Sequence, residues 1–126
     1  MVDFDFFRDE LERTLALLGG PVLEPLVRIL NDTNASEWTR EVAAYVLPVL
    51  ARLHPEHRAR VVSVLINAVE QTGDAENQLV ATCAYSLVEM RAVEAADAIR
   101  RGFEEERIDP SYFGDWERVR RKLGLS

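Results

Sequence analysis

Residues 31–53 read NDTNASEWTREVAAYVLPVLARL. A polar run, Asn31-Asp32-Thr33-Asn34-Ala35-Ser36, precedes Val42, Ala43, Val46, Leu47, Leu50 and Leu53, which recur at helical spacing and make one wide apolar face. The polar run is a turn, and Ser36 with Glu37 behind it is the expected N-cap of the helix. Pro48 lies inside the helix, where it removes a backbone hydrogen bond and crowds the preceding turn, so a bend is expected near Ala44. Further along, Ala44-Tyr45-Val46-Leu47 returns as Ala84-Tyr85-Ser86-Leu87 behind a second aspartate, Asp74. A recurrence at about 40 residues marks a helical repeat.

Toward the N-terminus, Phe4, Phe7, Leu11, Leu15 and Leu18 fall on one face of a helix that ends at Gly19-Gly20, with Asp3, Asp5, Asp9 and Glu10 where negative charge suits the start of a helix. One apolar stripe with a charged back suits an end helix, so this segment is expected to cap the stack. Pro21 restarts the chain, and Leu23, Leu26, Val27 and Leu30 predict a short helix to about Asn31. Toward the C-terminus, helices are expected from about Glu56 to Gln71, Asn77 to Arg91 and Ala95 to Glu106, then a turn at Ile108-Asp109-Pro110. A short last helix carries Trp116, Val119 and Leu123 inward, is capped by Asp115 and ends at Gly124. Seven helices and no strand predict an all-α domain spanning residues 1–126, with helical hairpins that bury their apolar faces by stacking on their neighbours.

Charge narrows the partners. Fifteen Lys and Arg against 22 Asp and Glu give a net charge of −7, which disfavours nucleic acid, whose affinity comes from neutralised phosphates. A protein or peptide partner is expected, basic if charge selects it. The lone cysteine, Cys83, sits among apolar residues and reads as a small core residue in a reducing compartment. No apolar run approaches the roughly 20 residues that span a bilayer, and the start is acidic where a signal peptide is basic; a cytoplasmic location with no membrane contact is the expectation.

Leu26-Val27-Arg28-Ile29-Leu30-Asn31-Asp32, then Arg40 and Ala43-Ala44-Tyr45-Val46-Leu47, resembles a HEAT-like repeat of the phycobilisome-lyase type. The second copy is Val64-Leu65-Ile66-Asn67-Ala68-Val69, Asp74 and Cys83-Ala84-Tyr85-Ser86-Leu87. A degenerate third is Ile99, Phe103, Asp109 and Trp116 to Leu125, whose ending is similar to the tails of small bacterial HEAT-repeat proteins. The resemblance covers nearly the whole chain and implies an α-α superhelix of about three hairpins behind an N-terminal capping helix. Such folds mostly act as protein-binding scaffolds, and some relatives serve as bilin lyases or DNA glycosylases. It also implies an arginine after each turn that pairs with the turn aspartates; Arg40 fills that place, whereas Asn77, Gln78 and Val80 occupy it in the second copy.

Trp38, Glu41, Tyr45, Pro48 and Arg52 are spaced 3, 4, 3 and 4 apart and therefore share one helix face. One repeat on, that face carries Gln78, Ala81, Tyr85, Val88 and Ala92. The expectation is a concave groove with an aromatic ladder of Trp38, Tyr45 and Tyr85, in which Trp38, Glu41, Tyr45, Gln78, Tyr85 and Glu89 bind a protein or peptide. The competing reading packs both tyrosines between helices. His54-Pro55-Glu56-His57 offers two imidazoles and a carboxylate without a third strong ligand, so no metal or other cofactor is expected. No nucleophile lies beside a base and no phosphate loop appears, so no catalytic set is expected. The basic run Arg118, Arg120, Arg121 and Lys122 suits a helix C-terminus. Three functions thus stand: a non-catalytic scaffold, an accessory subunit or enzyme of bilin-lyase type, and an obligate homodimer closed through the Phe4 and Phe6 end.

Overall fold

The computed structural model describes residues 4–72 and 77–125. The expectations for Asp3, for the side chains of Phe4, Asp5, Phe6, Phe7 and Leu11, and for Asp74 fall outside what is described. Seven α-helices and no strand make up the described residues: α1 Phe4–Leu18, α2 Leu23–Asn31, α3 Glu37–Leu53, α4 Arg58–Gln71, α5 Asn77–Glu89, α6 Ala96–Glu104 and α7 Trp116–Lys122. A single 3-10 turn leads into α2, α4 and α6, at Gly20–Val22, Pro55–His57 and Val93–Ala95. Proline near the start of the first two suits a turn whose first N–H groups have no helical partner.

The helix starts follow their side chains. The Thr39 N–H donates to Ser36 Oγ at 3.1 Å and the Arg118 N–H to Asp115 Oδ1 at 3.0 Å, so both expected N-caps are made. Asp32 and Asp109 close matching turns by accepting from the N–H groups of Asn34 and Ser111, each at 2.9 Å. The ends come earlier than the apolar periodicity suggests. Beyond α5, Arg91 takes φ 53°, and beyond α6, Glu106 takes φ 59°; a left-handed residue turns the chain off the helix axis. Hence α5 stops at Glu89 where Arg91 was expected, and α6 at Glu104 where Glu106 was.

Three helix C-termini are held by basic side chains from elsewhere. His54 Nε2 donates to the Leu15 carbonyl of α1 at 3.0 Å, and Arg40 Nε to the Leu30 carbonyl of α2 at 2.8 Å. The Arg107 guanidinium reaches the Val69 carbonyl of α4. The Leu30 and Val69 carbonyls belong to last turns, whose carbonyls lack helical donors and carry the negative end of the dipole, so a basic donor satisfies both; the Leu15 carbonyl accepts from the Gly19 N–H as well, at 2.8 Å. Arg107 thus performs for α4 what Arg40 does for α2, but comes from the loop after α6.

α3 packs against α1, α2, α4 and α5; α4 also packs on α5 and α6, and α6 on α7. The buried residues form one cluster: Leu15, Leu30, Leu47, Leu50, Leu65, Leu79, Leu87, Ile99 and Ile108 are essentially inaccessible, each worth about 1.5–3 kcal/mol of burial. α3 continues through Pro48 without a break. Proline has no N–H to give the Ala44 carbonyl, and Ser86 Oγ of α5 donates to that carbonyl instead at 3.0 Å. The serine of the second Ala-Tyr-x-Leu run therefore completes the backbone of the first. No helix among the described residues is long and apolar enough to cross a membrane.

Candidate functional site, a groove between α3 and α5

A groove of about 610 Å³ lies along the seam of α3 and α5, lined by Tyr45, Pro48, Val49, Ala51 and Arg52 from one side and Tyr85, Ser86, Glu89 and Met90 from the other, with Arg58 of α4. Helical spacing brings Tyr45, Pro48 and Arg52 together, since steps of three and four residues share a face. Pairing of Ser86 with Ala44 sets the register that puts Tyr85 beside the Tyr45 turn. Tyr85 is 42% exposed; partial burial, the Glu89 carboxylate and Tyr45 together hold its phenol above the ordinary value.

Glu41 lies one turn before Tyr45 and accepts from Thr82 Oγ1 of α5 at 3.3 Å. Loss of water raises its carboxyl above the usual range and the Glu37 charge adds to the rise, while hydrogen bonds with Thr82 and Gln78 oppose it. Gln78 stands exposed at the start of α5. Of the six residues read as a binding face, Tyr45, Tyr85 and Glu89 line the groove, and Glu41 and Gln78 are not among its lining.

Trp38 does not join them. It is 73% exposed on the first turn of α3, and seven residues of helix separate it from Tyr45 by about 10 Å. The aromatic series runs the other way: Phe113, from the loop before α7, meets Tyr85 edge-on with ring centroids 5.8 Å apart, and Phe103 meets Phe113 at 6.2 Å. The face is also less open than its spacing suggested, because Ala81, Val88 and Ala92 are buried. Phe113, Arg58 and Met90 were not anticipated. The one signal for Phe113 is an aromatic set between turn residues in Pro110-Ser111-Tyr112-Phe113-Gly114.

Other reactive groups have structural surroundings. Cys83 is buried among core residues, and burial pushes its thiol up to about 12, far from the range of a nucleophile. His54 and His57 pack against Gly19 and Gly20, where an added Cβ would lie 2.8 Å from the His54 ring and 2.9 Å from His57 Nε2. Glu56 stands 3.7 and 3.8 Å from the two imidazoles, and among the described residues no three His, Cys, Asp or Glu are placed to hold a metal. In α7, Arg120 pairs with Glu117 and donates to the Leu125 carbonyl at 3.3 Å.

Neither the curated proteins nor the solved structures contain a match to this chain. The family model that does match covers residues 2–126, the helices and the groove together, and the chain belongs to that family, described as a protein of unknown function, DUF1186.

Proposed function

We propose that this chain is a non-catalytic scaffold that holds an extended protein or peptide segment in the α3/α5 groove. The observation that carries the reading is the pair of repeat-position tyrosines, Tyr45 and Tyr85, on the walls of one open groove. Aromatic rings with a polar tip give large contact area at little loss of side-chain freedom, which suits them to anchor a partner. The helix order supports a short HEAT-like stack behind it. α1, α3 and α5 are neighbours in sequence order, as are α2, α4 and α6, which is how stacked hairpins bury their faces. A single, buried Cys83 fits a cytoplasmic setting.

The test is a library of extended hexapeptides titrated against the wild-type chain and a Tyr45→Ala/Tyr85→Ala variant verified as folded by circular dichroism. Peptides retained by the wild type should lose at least about tenfold in affinity to the variant. Equal retention by both proteins would place binding elsewhere.

A further inference from the structure

Of the two groove tyrosines, Tyr85 is exposed and Tyr45 half-buried. An exposed side chain ordinarily samples several rotamers, and ordering it is a cost that binding has to bear. Tyr85 is instead held at both ends. Burial first, then the charge and hydrogen bond of Glu89 one turn on, raise its phenol above the ordinary value, so the hydroxyl end meets Glu89. Its ring meets that of Phe113 at 5.8 Å between centroids and 63° between planes, and Phe103 of α6 stands against Phe113 at 6.2 Å and 65°. Neither phenylalanine lines the groove, so both act on Tyr85 from outside it.

The turn that carries Phe113 is itself fixed. Ile108 is inaccessible and the Arg107 guanidinium reaches the Val69 carbonyl, which anchors the chain as it leaves α6. Asp109 then accepts from the Ser111 N–H at its carboxylate, at 2.9 Å, and from the Tyr112 N–H at its carbonyl, at 3.2 Å. The Gly114 N–H donates to the Pro110 carbonyl at 2.8 Å. Gly114 takes φ 109°, and a Cβ on it would lie 2.6 Å from Arg118 Cδ; glycine therefore closes the turn, next to Phe113, where another residue would be strained. Asp115 ends it by capping α7.

We propose, building on the scaffold reading, that Phe113 is a positioning residue of the groove. It holds the Tyr85 ring in its binding rotamer, so that the turn between α6 and α7 governs affinity without touching the bound segment. An edge-on aromatic pair stabilises one ring orientation beyond what burial alone contributes. Because Phe113 rests on Phe103 of α6 and not on α5 alone, the orientation it imposes on Tyr85 is set by the neighbouring helical layer. A wall ordered before the partner arrives leaves less freedom to be lost on binding.

The experiment first reads the Tyr85 χ1 rotamer in the peptide-free full chain from three-bond NMR couplings. Wild type and Phe113→Tyr, which keeps the ring, should show one rotamer. Phe113→Ala and Gly114→Ala, each verified as folded by circular dichroism, should show averaging at Tyr85 and none of it at Tyr45. Fluorescence anisotropy then follows the hexapeptides that the wild type retains. Phe113→Ala should weaken them about three- to tenfold, the factor an aromatic pair contributes, and Phe113→Tyr should bind as wild type does. In a Tyr85→Ala background the same Phe113→Ala substitution should cost nothing further. An averaged Tyr85 in the wild type, a single rotamer that survives Phe113→Ala, or an affinity that Phe113→Ala leaves unchanged would overturn the positioning role and leave the scaffold standing. So would an equal loss in the Tyr85→Ala background, since Phe113 would then act on the peptide by a route other than Tyr85. Failure of a folded wild type to retain any hexapeptide would overturn the scaffold, and the positioning role with it.

Discussion

Pro48 and Ser86 answer to the same carbonyl from opposite directions: the proline withholds a donor from Ala44 and the serine supplies one. Removing the hydroxyl leaves a buried acceptor without a partner, so Ser86→Ala should cost about 1–3 kcal/mol of stability in urea denaturation. In a Pro48→Ala background the ladder N–H returns to the Ala44 carbonyl, and the same serine substitution should cost much less. Equal costs in both backgrounds would show that the hydroxyl acts by some other route. Glu41 makes the opposite case, a side chain the fold tolerates at a loss. Its folded carboxyl titrates above the ordinary value, so folding takes up a proton in the window between the two values and stability falls as pH rises through the folded one. Glu41→Gln should therefore be more stable than wild type at neutral pH and lose that advantage at about pH 3, where the carboxyl is protonated in both states. A gain that persists in acid would mean the charge is not its source.

The helices themselves were legible because each has an apolar stripe at helical spacing, and four of them, α2, α3, α4 and α7, have a start marked by Pro21, Ser36, Pro55 or Asp115. What joins them was less so. Arg40 could be picked out by its place after the turn, but its counterpart Arg107 lies 38 residues beyond Val69, in a loop whose path no periodicity describes. Likewise, spacing put Trp38 on the same face as Tyr45, yet sharing a face does not bring rings within contact over two helical turns. The ring that does meet Tyr85 is carried by a turn. Arg40 is buried with Nε on the Leu30 carbonyl, so Arg40→Met should cost about 1.5–3 kcal/mol, the range for a hydrogen bond to a charged group. Lysine has no donor at the place of Arg40 Nε and should rescue only in part. Gly102 marks a second joint, since a Cβ on it would stand 2.5 Å from Ile108 Cδ1 and 2.9 Å from its Cγ1. Gly102→Ala gains about 1 kcal/mol of helix propensity, and crowding an inaccessible isoleucine, at about 1–3 kcal/mol, should outweigh it in a thermal melt.

For the molecule as a whole, the core has a built-in reporter. Cys83 is inaccessible, and its thiol is pushed up to about 12, so iodoacetamide at about pH 8 should modify it only when the helices around it separate. Its labelling rate under native conditions, compared with that of the unfolded chain, should yield an opening free energy close to that from urea. Rapid labelling of the folded protein would instead mean that α5 opens locally. The Ala44 carbonyl bears on how that separation happens. α3 cannot satisfy its own main chain, because the donor it lacks resides 42 positions later on α5. A chain ending before α5 would hold α3 with a carbonyl turned to water, and in synthesis the helix would stay incomplete until its successor emerged. The amides of α3 around the proline should then exchange with solvent deuterium at the same rate as those of α5, so that two helices separated by a third melt as one.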